Sequence, residues 1–304
     1  MTESYITVEN GTGIRLDAFL AVHFPDISRS RIKSMISSGL VKVNDASVKP
    51  SLKLSDGNVI YIQIPDPEIL QVEAENIPLD ILYEDDDLII VNKPKGMPVH
   101  PAPGHYTGTL VNGLMFHCKD SLSGINGVLR PGIVHRIDMN TTGALIVCKN
   151  DNSHTCIASQ LEKHSINRIY VGIVNGTPDF EGTVNKPVGR HPADRKKMAV
   201  DVKNGKNAVT HYRVIKSFRG YSLCEFRLET GRTHQIRVHM ASIGHPLLGD
   251  DVYGNGSSSF KTQGQTLHAK IIGFIHPSTG EYMEFEAPLP DYFLKILKRL
   301  ENRN

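Results

Sequence analysis

Asp138 lies in GIVHRIDMNTTGALIV, Gly132 to Val147, where two apolar runs flank a polar turn and His135 and Arg136 come just before the carboxylate. A carboxylate walled by apolar residues can act as a base or as a nucleophile, provided that something holds it ionised. The second polar cluster is TGRTHQIRVHMASIGH, Thr230 to His245, which carries Arg237. Thr233 is placed to cap a helix there, Ile236, Met240 and Ile243 to form its buried stripe, and Gly244 to end it. Arg237 then has Thr233 one turn before it and Ala241 one turn after, small neighbours that leave a guanidinium room to grip a carboxylate bidentately. Taken singly, each cluster has an ordinary reading. An aspartate followed by Asn140, Thr141, Thr142 and Gly143 forms turns, and a solitary arginine makes surface ion pairs. Both clusters in one chain point to chemistry instead.

The other familiar catalytic patterns are missing. The chain has no GxxxxGK[ST], no GxSxG and no HExxH, and Gly11-Thr12-Gly13 lacks the third glycine and the preceding strand of a dinucleotide fingerprint. Fourteen histidines invite a metal, but His154 with Cys156 and His117 with Cys118 do not have paired ligand spacing, so no metal is expected. Cys118, Cys148, Cys156 and Cys224 form no CxxC and read as reduced, packed thiols. A reaction that needs no cofactor is the expectation.

Positioning those clusters takes a sizeable core, and 304 residues allow one large domain or two unequal ones. No apolar run approaches the roughly 18 residues of a membrane span, so no membrane partner is expected. MTESYITVEN has no basic region followed by an apolar core; a secretory signal is not expected and a cytoplasmic location is. From Ile14 to Ile64 a small α+β module reads out: a helix in RLDAFLAVHF, a second helix capped by Ser28 and closed by Gly39, then strands LVKVN and GNVIYIQI. IPDPEILQVEAENIP looks like a linker, with the boundary near Gln71. Beyond it come a hairpin in DILYEDDDLIIVNKP with an acidic tip at Asp85 to Asp87, and a helix capped by Thr109. Strands GIVHRI, ALIVCK and RIYVGIV follow, with a helix from about Ser153 to His164 between the last two. In GIVHRI alternation would turn Arg136 and Asp138 to the same face at a strand end. More strand runs from Val209 to Leu228, and DYFLKILKRL closes the chain as an amphipathic helix. The expected class is α+β: a mainly antiparallel mixed sheet with helices over residues 71–304, plus a small N-terminal α+β module over residues 1–70.

HRIDMNTTG resembles the HRLDxxTSG motif of the pseudouridine synthases that modify large-subunit ribosomal RNA and some transfer RNAs. RIYVGIVNG, ETGRTHQIRVHMASIGHPLLGDDVYG and TLHAKIIGFIHP resemble that family's later motifs, in the same order, so the likeness runs from about Ile77 to Leu289. Ile137 stands where the family has leucine and Thr142 where it has serine; neither change removes a functional group. RLDAFL, SRSRIKSMISSGLVKVN and KLSDGNVIYI resemble the alpha-L RNA-binding motif shared with a small-subunit ribosomal protein. IPLDILYEDDDLIIVNKPKGMPVHP and HPADRKKMAV look closest to the branch acting on the stem-loop of 23S RNA that bridges the subunits.

The resemblance implies that Asp138 is the essential carboxylate, that Arg237 pairs with it, with Arg232 as second choice, and that Tyr170 stacks on the uracil. Leu267 would pack under the base. Arg136 would fill the space vacated by the extruded uridine, with His135 as support. Uridine becomes pseudouridine without redox change or external group, which agrees with the absence of a cofactor. For RNA contacts, Lys186 to Lys206 carries seven basic residues, among them Arg190, Arg195, Lys196 and Lys197, against Asp194 and Asp201, although the whole chain is only +2. In the small module Arg29 and Lys33, one turn apart, would form an RNA-facing side with Arg31 and Lys42. A monomer is expected, since RNA supplies the large partner surface. Rivals are a non-catalytic assembly factor, a transfer RNA enzyme, and a glycosidase using Glu229, Asp250 or Asp251 as second carboxylate.

Overall fold

The computed structural model describes residues 2–303 apart from 26, 65–71, 103–104, 120, 126, 128–129, 195–196, 255–259 and 261. It divides into two compact units, Met1–Leu70 and Gln71–Asn304. Of the expected linker, residues 65–71 lie outside the described residues.

In the first unit, β1 (Thr2–Thr7), α1 (Leu16–His23), α2 (Arg29–Ser37), β2 (Val41–Val43), β3 (Ala46–Ser47) and β4 (Val59–Ile64) form a sheet of order β1-β4-β2-β3 with two helices. Ser28 caps α2 by accepting from the Arg31 N–H. Asn44 and Asp45, both at positive φ, make the β2–β3 turn. Leu16, Leu20, Ile32, Ile36, Ile60 and Ile62 fill the core. β1 was not expected from the sequence; it adds a fourth strand antiparallel to β4, Tyr5 opposite Tyr61.

In the second unit, β5 (Ile81–Glu84) and β6 (Leu88–Lys93) form the acidic-tipped hairpin, and α3 (Leu110–Cys118) starts in a capping box of Thr109 and Asn112. β7 (Thr142–Cys148), α4 (Asp151–Glu162) and β8 (Asn167–Asn175) follow. Then come β9 (Glu181–Asn185), the hairpin β10 (Val188–Arg190) and β11 (Met198–Val200), and the long hairpin β12 (Val209–Phe218) and β13 (Tyr221–Leu228). α5 (Gln235–Ser242), β14 (Leu267–Ile275), β15 (Tyr282–Glu286) and α6 (Asp291–Glu301) complete the chain. The main sheet has the order β5-β6-β7-β14-β8-β13-β12-β9, with β15 also on β14. Among its described pairings only β7 with β14 is parallel. The class is α+β, as expected.

Both faces of this sheet are covered, and period-two alternation decides which side chain goes where. Ile89, Val91, Leu145, Val147, Tyr170 and Phe226 pack with α3 and α5 on one face. Leu88, Ile90, Ile146 and Phe274 pack with Ile157 of α4 on the other, where Val171 and Ile173 meet Phe293 and Leu300 of α6. Tyr170 is thereby turned toward α5.

Two local expectations need correction. GIVHRI is not a strand: it makes a single bridge, Ile133 with Val147, and then leaves β7. Its departure leaves the Ile146 N–H without a carbonyl, and the His135 ring supplies the acceptor, Nε2 at 3.0 Å. The apolar pattern reflects burial of Ile133 and Ile137 beneath a loop, not strand pairing. Thr233 is not the cap of α5 either; His234 occupies that position in a left-handed conformation with no side-chain cap bond. Gln235 to Met240 are all buried, so α5 is enclosed all round and does not present a stripe.

Candidate active site

Asp138 opens a tight turn, with the Thr141 N–H donating to its carbonyl at 3.0 Å. The next carbonyl, Met139, receives the Gly96 N–H at 3.0 Å and the Lys93 ammonium at 3.0 Å. Lys93 is fully buried and donates also to the Pro94 and Met97 carbonyls. Burial pushes it down to about 7, and the charge of Asp138 opposes that shift. On the far side of the turn, Thr141 accepts from Gln265 and Thr142 bonds His268, both on the approach to or within β14. Gly143 has φ +109, and a Cβ there would lie 2.1 Å from the Ala269 carbonyl oxygen. Only glycine lets β7 approach β14 this closely. The turn carrying Asp138 is thus held by groups from two separate stretches of chain, one at Lys93 and Gly96 and one from Gln265 to Ala269.

Arg237 meets Asp138 as expected, Nη1 donating to Oδ2 at 3.0 Å. Its bidentate grip, however, is on Asp250: Nε to Oδ2 at 2.7 Å and Nη2 to Oδ1 at 2.9 Å. Asp250 Oδ1 also accepts from the Val252 and Tyr253 N–H groups. Burial would raise the Asp250 pKa, but Arg237 and these donors hold it below the ordinary value; burial works against the Arg237 charge, yet the two carboxylates raise its pKa overall. Arg237 lies 5.1 Å above the Tyr253 ring. The Tyr253 hydroxyl pairs with His234 Nδ1 at 2.8 Å and accepts from the Met198 N–H at 2.8 Å, which ties the hairpin of β10 and β11 to the site. His234 Nε2 is 3.8 Å from Asp138 Oδ1. Asp250 appeared in the sequence only as a possible second acid. Both its oxygens are committed to Arg237, which leaves it unsuited to activating water, and Glu229 is bonded to His211 instead. Asp251 is exposed and lines neither cavity that holds Asp138, so none of the three carboxylates named for a glycosidase is placed to act as its second acid.

Asp138, Tyr170, Leu267, Arg136, Arg232 and Arg237 line one small cavity of about 50 Å³. Tyr170 and Leu267 are buried in its wall, and burial raises the Tyr170 pKa. Arg136 donates to His100 Nε2 at 3.0 Å. Burial, helped by Arg136, pushes His100 down to about 4, which keeps it a neutral acceptor. His135 does not face the cavity as a charged group: burial and Arg168 push it down to about 3, and its ring is spent on the Ile146 N–H. Arg232 makes no contact with Asp138; its Nε donates to the Asn207 carbonyl at 2.9 Å.

The basic residues named for RNA contact are spread over both units. Arg29 and Lys33 share a buried carboxylate, Asp17, at 3.1 and 3.4 Å, and Arg15 joins them at 3.0 Å. Hydrogen bonds from Arg15 and Arg29 hold Asp17 well below the usual carboxylate range. This anchor was not anticipated, although RLDAFL contains it. The lysine and arginine side chains stay about half exposed, 50% each, so the anchor orients them without removing them from solvent. Lys42 is exposed on β2, and Arg190 ends β10 in an exposed position. Lys197 precedes β11, while Arg195 and Lys196 lie outside the described residues.

Residues 87–242, which include Asp138, Tyr170 and Arg237, match the family model described as RNA pseudouridylate synthase. The chain belongs to that family. An RNA pseudouridine synthase is an isomerase. Residues 14–60 match the S4 domain. An RNA pseudouridine synthase of Bacillus subtilis is 51% identical over 287 residues, 94% of each chain. The ribosomal large subunit pseudouridine synthases D of Zymomonas mobilis and Haemophilus influenzae are 47% and 45% identical, covering 100% and 95% of this chain and 99% and 92% of their own. Human RNA pseudouridylate synthase domain containing 1 shares the fold, with a TM-score of 0.59 at 22% identity over 78% of this chain and 98% of its own. No helix among the described residues is long and apolar enough to cross a membrane.

Proposed function

We propose that this synthase isomerises uridines of 23S ribosomal RNA, in the stem-loop that bridges the subunits, with Asp138 as the reacting carboxylate. The observation that carries the assignment is the Arg237 to Asp138 contact in a cavity that Tyr170 and Leu267 also line. The reaction breaks the N1–C1′ bond and forms a C5–C1′ bond; a proton leaves C5 and one is gained at N1, so no other reactant enters. Asp138 attacks C1′ or removes the C2′ proton. Both routes need the carboxylate ionised, and Arg237 donates to it at 3.0 Å, which fixes its position. Tyr170 stacks on the uracil and Leu267 packs beneath it. Arg136, parked on a neutral His100, is free to move into the stack when the uridine is extruded, which offsets part of an unstacking cost of a few kcal/mol. Residues 1–70 serve as the alpha-L type RNA-binding module, with Arg29, Arg31, Lys33 and Lys42 toward the RNA, and Arg190, Arg195, Lys196 and Lys197 add contacts from the larger domain.

The large-subunit target is supported by the names of the relatives at 45–47% identity. Its test is carbodiimide mapping of pseudouridine in 23S RNA from cells lacking the protein and complemented with wild type or Asp138→Asn. Marks in the bridging stem-loop that only wild type restores are expected. Unchanged marks throughout 23S RNA would discard that target in favour of transfer RNA or a purely structural assembly role.

A further inference from the structure

A second cavity, of about 500 Å³, shares Arg136, Asp138, Tyr170, Arg232 and His234 with the first and extends beyond it to Arg168 and the end of α4. Arg168 is only 7% exposed. Alternation along β8 puts it on the face of Tyr170, two residues on. Its Nη2 donates to the Glu229 carbonyl at 3.2 Å, and its Nε has no acceptor. No ion pair joins it to any carboxylate among the described residues; the carboxylates in the cavity wall are Asp138, already paired with Arg237, and Glu162 at the exposed end of α4. The neighbouring charge is another cation, Arg232, and the nearby His135 is neutral. Gly231 makes room for this side chain, since a Cβ there would lie 2.6 Å from Arg168 Nη1.

A buried guanidinium with a vacant donor and no carboxylate paired to it is costly unless an anion completes it. Arginine's fork suits an anionic phosphate oxygen. We propose that Arg168, with Arg232 beside it, is a subsite for a phosphodiester group of the RNA, one of the two linkages flanking the nucleotide delivered to Asp138. The inference rests on the reading of Asp138 as the reacting carboxylate. A neutral uracil carbonyl would satisfy the Nε but leave the charge unbalanced, so the phosphate is the better match.

The test uses the full chain with a stem-loop RNA carrying a single methylphosphonate at each linkage around the target uridine, and the variants Arg168→Gln and Arg168→Lys. Arg168→Gln is expected to raise KM about ten-fold with kcat within about two-fold, the loss of one charge-assisted contact. One flanking methylphosphonate should cost wild type a similar factor and cost Arg168→Gln nothing further. Full sensitivity of Arg168→Gln at both flanking linkages would overturn the proposal. So would a fall in kcat alone with no sensitive linkage, which would place the uracil there instead. Should Arg168→Gln not fold, the wild-type scan and Arg168→Lys decide: an insensitive pair of linkages overturns the subsite. Binding by Asp138→Asn separates the two readings. Turnover surviving in Asp138→Asn would remove the catalytic assignment, while the linkage sensitivity of its RNA binding would still report on Arg168.

Discussion

Arg237 and Arg168 are buried guanidinium groups that line neighbouring cavities meeting at Asp138, and they differ in what surrounds them. Arg237 is saturated in the sense that each of its three nitrogens has an acceptor: Asp250 takes two, Asp138 the third, and the Tyr253 ring covers it. Arg168 has one backbone carbonyl and no carboxylate. The first arrangement is complete without RNA and suits the proposed role of fixing a reactive group, since geometry set before substrate arrives costs nothing to reorganise during reaction. The second is incomplete and suits a group that must accept something from outside. Stability and binding are therefore expected to respond oppositely at the two arginines.

The largest effect belongs to the saturated side. Asp138→Asn keeps the shape and loses the carboxylate, so tritium release from uridine-labelled RNA should fall by at least ~10³-fold with RNA affinity nearly unchanged. Wild-type turnover would end the assignment. Asp250→Asn should lower the unfolding free energy by about 3 kcal/mol in urea titration, because it removes one partner of a buried ion pair. On the unsaturated side, Arg168→Met should leave RNA-free stability within about 1 kcal/mol of wild type, since an uncompensated charge is exchanged for an apolar side chain. A loss as large as that of Asp250→Asn would erase the contrast.

The smallest effect concerns pH. His100 and His135 are held neutral, at about 4 and about 3, while an unfolded histidine titrates near 6.5. Between those values the unfolded chain binds protons that the folded chain refuses, so stability should fall as pH drops from about 6.5. Urea midpoints measured from pH 7 to 4 should show this decline, and a less steep one in His135→Gln. An equal slope in both proteins would mean that His135 takes no part in it.

Much of the fold was legible because apolar period and turn chemistry act locally. Asn44-Asp45, the Thr109 cap and the acidic hairpin tip each specify their element from within a few residues. GIVHRI failed for the opposite reason. Its apolar residues are buried, which the pattern detects, but whether a segment pairs as a strand depends on a distant edge being free, and here the His135 ring takes the place of the strand partner. Thr233 failed similarly: a good capping residue stands one position before the actual N-cap, His234, which is in a left-handed conformation.

In the site, the sequence by itself determined which groups are present: the carboxylate at Asp138, the arginine at Arg237, the tyrosine at Tyr170 and the glycines that permit tight turns. Their types and order follow from the chain alone, and the likeness to a family rests on them. Only the tertiary structure decided the partners. Asp250 gripping Arg237, Lys93 pinning the carbonyl after Asp138, Asp17 orienting Arg29 and Lys33, and Arg168 without an anion are contacts between segments brought together by folding. Electrostatic energy depends on distance and burial, and neither is a property of position along a chain.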